Sequence, residues 1–162
     1  MLSKKKNDTI RNYFLTQEQT IAVAESVTSG MLQLLISNIP DAGKFYQGGI
    51  TTYNLGQKYK HIGVEPIHAT SCNCVSQKVA EQMAAHVCTM FNSDWGIGIT
   101  GYSTPVPESG NELFCYYAIC YGQSITSAGR IDCKQMQPDK VQQFYGSVVM
   151  DELINAINEA AG

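Results

Sequence analysis

The stretch Ile21-Ala-Val-Ala-Glu-Ser-Val-Thr-Ser-Gly30 decides how the rest of the chain is read. Apolar residues open it, Glu25, Ser26, Thr28 and Ser29 close it, and the helical spacing of Met31-Leu-Gln-Leu-Leu-Ile36 follows. That order predicts a buried strand, a tight turn and a helix N-terminus. The start of a helix leaves backbone N–H groups unpaired, and hydroxyls around them suit a bound anion or a developing oxyanion.

Working outward, Ile10, Tyr13 and Phe14 predict a first helix over residues 7–15, capped by Asn7 or Asp8. The helix after the opening turn spans 28–38 and is stopped by Pro40. Gly48-Gly49 opens a second strand, Ile50-Thr-Thr-Tyr53, rich in β-branched and aromatic residues. Asn54 caps a short helix, Leu55 to Ile62, which Gly63 ends. From Val75, the positions Val79, Met83, Val87 and Met90 give the clearest amphipathic helix, with Ser76 near its start. Trp95-Gly-Ile-Gly-Ile-Thr-Gly101 is a further strand, followed by the turn-rich loop Tyr102 to Gly110. Glu112 to Tyr121 and Ser124 to Cys133 flank Gly122-Gln123 as a hairpin. A last helix runs from Pro138-Asp139 to about Ala160, with Val141, Phe144, Val148, Leu153 and Ile157 toward the core. The order α-β-α-β-α-α-β-β-β-α predicts an α/β fold, a three-layer α/β/α sandwich whose mixed, mostly parallel sheet ends in an antiparallel hairpin. With no linker or repeat in view, residues 1–162 read as a single domain.

Composition narrows the function. The chain has 162 residues, enough for a sizeable core, with 44% hydrophobic and 15% charged residues. A net charge of −3 argues against a nucleic-acid partner, which usually meets a basic face. Lys4-Lys5-Lys6 is the only block of charge and reads as a solvated terminus. No run of apolar residues is long enough for a membrane span or a signal peptide, so a cytoplasmic protein with no membrane partner is expected. The six cysteines fit no zinc pattern and read as reduced packing thiols, with Cys72-Asn-Cys74 as a loop pair that could oxidise.

Ligands of open α/β sheets sit beyond the carboxyl ends of the strands. Three such ends carry chemistry: Glu25-Ser26-Val27-Thr28, Tyr53 with Lys58, and Thr100-Gly101. A serine needs a base to act as nucleophile, and a partly desolvated lysine can serve, so Ser26 and Lys58 could form a dyad. Spacing alone leaves the plainer reading open, in which Ser26 caps a helix and Lys58 is a solvated helix lysine. His61, His68 and His86 have no partner pattern.

These residues together carry a resemblance. Ala24-Glu-Ser-Val-Thr-Ser-Gly30 resembles the Ala-Glu-Ser-Cys-Thr-Gly-Gly signature of the CinA C-terminal domain family, which also occurs as a stand-alone nicotinamide mononucleotide amidohydrolase. Gly49-Ile-Thr-Thr-Tyr-Asn-Leu-Gly-Gln-Lys58 is similar to the family's Gly-x-Val-Thr-Tyr-Ser-Asn-x-x-Lys, and His61-Ile-Gly-Val64 to its Leu-Leu-Gly-Val. Cys74-Val-Ser-Gln-Lys-Val-Ala80 and Ile99-Thr-Gly101 continue the match in order. The resemblance implies a hydrolase that needs no metal or other cofactor and converts nicotinamide mononucleotide, a small-molecule nucleotide, to nicotinic acid mononucleotide and ammonia. Carried over, Ser26 attacks the amide carbon, Lys58 takes its proton and Tyr53 positions or relays. Glu25, Thr28, Ser29 and Gly30, with Thr100 and Gly101 opposite, hold substrate, its oxyanion or its phosphate. A homo-oligomer is expected on the same ground.

The sequence departs from the family where substrate is expected. Val27 and Ser29 replace a cysteine and a glycine of the first signature. Tyr102-Ser-Thr-Pro105 replaces Ile-Ala-Gly-Pro, and Gln137-Pro-Asp-Lys-Val-Gln142 replaces an arginine-bearing segment, leaving Arg11 and Arg130 as the only arginines. Lysine or glutamine does not pair a phosphate as arginine does. A catalytically impaired nucleotide-binding or regulatory domain of the same fold is therefore the alternative reading.

Overall fold

The computed structural model describes residues 1–162. Helix α1 is Lys4–Gln17, β1 Ile21–Glu25, α2 Met31–Ser37, β2 Tyr46–Thr51, α3 Leu55–Ile62, α4 Pro66–Ser71, α5 Gln77–Phe91, β3 Trp95–Gly101, β4 Leu113–Tyr121, β5 Ser124–Cys133 and α6 Pro138–Ala161. The five strands form one sheet in the order β2-β1-β3-β4-β5. β1 pairs with β2 and β3 in parallel, and β3 with β4 and β4 with β5 antiparallel. Only β4 therefore runs against the rest, and the hairpin closes one edge. The α/β class and the three layers expected from the sequence are those observed.

Alternation along the strands divides the core. Ile21, Val23, Trp95, Ile97 and Ile99 face α1, α2 and α6, packing with Phe14, Leu32, Ile36, Tyr145 and Val149. Ala22 and Ala24 face the other way, against Ile62 of α3 and Val79, Met83 and Val87 of α5. This second face is lined with small residues so that α5 can lie close. A Cβ on Gly98 would meet the carbonyl oxygen of Ala80 at 2.2 Å, and one on Gly96 that of Ala84 at 2.3 Å. Gly96 and Gly98 of β3 are there for helix packing.

Several boundaries differ from expectation for local reasons. α1 begins at Lys4, because the Ser3 hydroxyl accepts from the Lys6 N–H and caps it earlier than Asn7 or Asp8. The lysine run is thus the first turn of a helix. Helix α4 is additional to the expected order: Pro66 occupies its first position, and the Glu65 carboxylate accepts from the N–H groups of Ile67 and His68. Met90 and Phe144, expected inside, are exposed. The buried stripe of α6 instead runs through Val141, Tyr145, Val149 and Leu153, one position to the side of Phe144.

Candidate active site

β1 lies between two parallel neighbours, and the chain connects onward on opposite faces of it, so its carboxyl end opens a crevice. Ser26 is the first residue past that end and is 6% exposed. The turn that follows closes with the Ser29 N–H donating to the Ser26 carbonyl at 3.1 Å. Lys58 arrives from α3, where the Asn54 side chain caps the first turn through the Gln57 N–H and Gly63 ends the helix in a left-handed conformation. Its side chain runs inward and is 1% exposed. Lys58 Nζ donates to Ser26 Oγ at 2.8 Å and to the Thr52 carbonyl at 2.8 Å. No carboxylate pairs with this lysine, and burial lowers its pKa from 10.5 to about 8, with the nearby Cys74 acting weakly the other way.

The two side chains open onto a cleft of about 380 Å³. Ser26, Val27, Tyr53, Asn54 and Lys58 form one wall, and Cys74, Thr100, Tyr102, Thr104 and Glu108 contribute to the other. Tyr53 stands just beyond β2 at the mouth, 69% exposed, and makes no hydrogen bond within the chain. It lines the cleft and is not hydrogen-bonded to the Ser26–Lys58 pair. Thr100 is buried and donates its hydroxyl to the Cys74 carbonyl at 2.7 Å, tying the 72–75 loop to β3. A Cβ on Gly101 would meet the Cys115 Cα at 2.5 Å, so close packing against β4 accounts for that glycine.

The helix start predicted to hold an anion is already filled. The Glu25 carboxylate, fully buried, accepts from Gly30 N–H at 3.1 Å, Leu32 N–H at 3.1 Å and Gln33 N–H at 2.9 Å. Glu25 and Gly30 therefore serve the α2 terminus and do not line the cleft. Ser29 is exposed, at φ 49°, and is also outside the cleft. Glycine at this place would answer a left-handed backbone, not a ligand's approach. Thr28 is 2% exposed with its hydroxyl unpartnered, buried behind the turn instead of facing the cleft.

Other residues shape the site without a signal in the sequence. Gln142 Nε2 of α6 donates to the Val27 carbonyl at 2.9 Å, and the Tyr145 hydroxyl donates to the Tyr102 carbonyl at 3.0 Å. One helix thus holds both loops of the cleft. Thr52 was legible only as a strand residue, yet its carbonyl orients the lysine. Cys72 and Cys74 are both free thiols, and burial pushes the Cys74 thiol up. No group of three or more His, Cys, Asp or Glu side chains converges as a metal cluster.

Comparison with known proteins identifies the family to which this fold belongs. The sequence profile of the CinA C-terminal domain matches residues 3–155. The chain belongs to the CinA C-terminal domain family. A CinA-like protein from Picosynechococcus sp. is 41% identical over 90 residues, which are 56% of this chain and 22% of that protein. A putative competence-damage inducible protein from Moorella thermoacetica is 43% identical over 86 residues, 53% of this chain and 21% of that protein. The matched regions thus span about a fifth of the length of these curated relatives. The solved structure of a competence-damaged protein (CinA) superfamily protein from Enterobacter cloacae shares the fold with a TM-score of 0.88, at 20% identity over 97% of this chain and 99% of that one. No helix of the chain is long and apolar enough to cross a membrane.

Proposed function

We propose that the chain is a serine–lysine amidohydrolase that deamidates nicotinamide mononucleotide to nicotinic acid mononucleotide and ammonia. The observation that carries this reading is the 2.8 Å contact between Lys58 Nζ and Ser26 Oγ in a buried setting that lowers the lysine pKa to about 8. In the neutral form, Lys58 accepts the Ser26 proton as Oγ attacks the carboxamide carbon. The tetrahedral oxyanion is met by the N–H group of Val27, which lines the cleft and pairs with no group in the chain. The protonated lysine then returns the proton to the departing nitrogen, which leaves as ammonia. A water activated by the same amine hydrolyses the seryl ester and frees the carboxylate. Tyr53 positions the ring at the cleft mouth. No metal enters this scheme.

The proposal includes a small-molecule nucleotide as partner, a homo-oligomeric assembly and a cytoplasmic location, with neither nucleic acid nor membrane involved. A second reading, a domain of the same fold that binds a nucleotide without turnover, is favoured by the Tyr102–Gly110 loop, which departs from the family's pattern and forms part of the cleft wall. Ammonia release from nicotinamide mononucleotide separates the two. Turnover supports the amidase, and its absence at high enzyme concentration, with the ligand still raising the melting temperature, supports the second reading.

A further inference from the structure

Charge in the cleft is distributed in an unexpected way for a phosphorylated substrate. Lys58 is its only basic side chain, and that amine is turned inward onto Ser26 and Thr52. The terminus of α2, where an anion would otherwise find backbone donors, is filled by the Glu25 carboxylate. The loop that closes the cleft adds an exposed acid, Glu108. Both arginines lie elsewhere: Arg11 is held by Asp41, and Arg130 by Glu112 and Asp132. What remains at the mouth is uncharged, including Tyr53, Asn54, Asn73, Ser103 and Thr104. Such groups suit ribose hydroxyls and the face of an aromatic ring. Recognition of a phosphate dianion normally uses charge-assisted bonds from arginine, lysine or a free helix start.

We infer that this cleft does not recognise the phosphate of a nucleotide substrate, and that it takes a dephosphorylated pyridinium carboxamide riboside at least as well as the corresponding 5′-phosphate. The inference rests on the amidase reading for the identity of the reacting group. The pyridinium cation and the acid of the cleft wall have opposite signs, whereas the phosphate and that acid repel. Deamidation of the riboside follows the same steps, because the reacting carboxamide is unchanged.

The test compares nicotinamide mononucleotide with nicotinamide riboside in two measurements. Ammonia release gives kcat/KM for each with the wild-type chain, and calorimetry gives Kd for each with Ser26→Ala, which retains the cleft. The riboside is expected to match or exceed the mononucleotide in both, within about threefold. Glu108→Lys should lower KM for the mononucleotide several-fold and raise that for the cationic riboside. A preference of more than about tenfold for the mononucleotide in kcat/KM and Kd overturns the inference while leaving the amidase intact. Equal binding without turnover of either ligand overturns the amidase and leaves the inference about phosphate standing. Failure of both ligands to bind overturns both. An equal change for both ligands on Glu108→Lys overturns the role given to that acid.

Discussion

Lys58 Nζ donates to the Thr52 carbonyl oxygen at 2.8 Å, and this bond sets what the amine can do toward Ser26. A neutral amine keeps two protons and one lone pair. With one proton held by Thr52, the lone pair can turn to Ser26 Oγ and receive its proton. The protonated amine has no lone pair to offer. Activity is therefore expected to follow the neutral form: kcat/KM rises with pH and levels off above about 8. A rate profile across that range, with ammonia as the readout, checks it. A profile flat from acid to alkaline pH would remove Lys58 as the base.

The same titration predicts a trend in stability. Lys58 has a pKa of about 8 in the folded chain against 10.5 in the unfolded one, so between those values the unfolded chain binds more protons. Stability gains with rising pH across that window, and the gain is lost as pH falls through the folded value. Lys58→Met has no such proton to lose. The difference in melting temperature between wild type and Lys58→Met is therefore expected to move in favour of the wild type from pH 7.5 to pH 10.5, roughly the interval between the two pKa values. Thermal melts of both proteins at the two pH values measure it.

Glu25→Gln replaces an oxygen that accepts backbone N–H bonds with an amide donor. At least one of the Gly30, Leu32 and Gln33 N–H groups is then left facing a donor in a buried place. The expected cost is about 2–4 kcal/mol, and the loss of the negative charge at the start of α2 acts in the same direction. A fall in melting temperature of roughly 5–15 °C follows for a chain of this length.

Ser29 holds a left-handed backbone at φ 49° and its side chain is exposed. Ser29→Gly relieves that conformation, partly offset by the greater freedom of glycine in the unfolded chain. A net stabilisation of up to about 1 kcal/mol is expected. Turnover should not change, because residue 29 does not line the cleft. Chemical denaturation and the ammonia assay give the two numbers.

The architecture was largely legible because its signals are local. Alternation of large and small residues in β1 and β3, Asn54 and Gly63 around α3, and the Gly122-Gln123 turn each encode a nearby constraint. Helix α4 escaped because its cap is a glutamate, an unusual choice, although Pro66 marked the place. The Ser26–Lys58 pairing was suggested by strand ends and by resemblance, since 32 positions separate the two residues and no local rule joins them. Reading the α2 start as an open anion site failed for a related reason. Nothing in the sequence reveals that Glu25 reaches forward to take the donors which a ligand would need. Gln142 was equally silent, as its bond to Val27 spans 115 positions.

The central claim is that Ser26 is the nucleophile and acts only with Lys58. The most direct measurement is ammonia release from nicotinamide mononucleotide by wild type and Ser26→Ala side by side, at pH about 8.5 where the amine is mostly neutral. Turnover by the wild type and a loss of roughly a thousandfold or more in Ser26→Ala, with the variant still folded, is the predicted result. Undiminished ammonia release by a folded Ser26→Ala protein would contradict it.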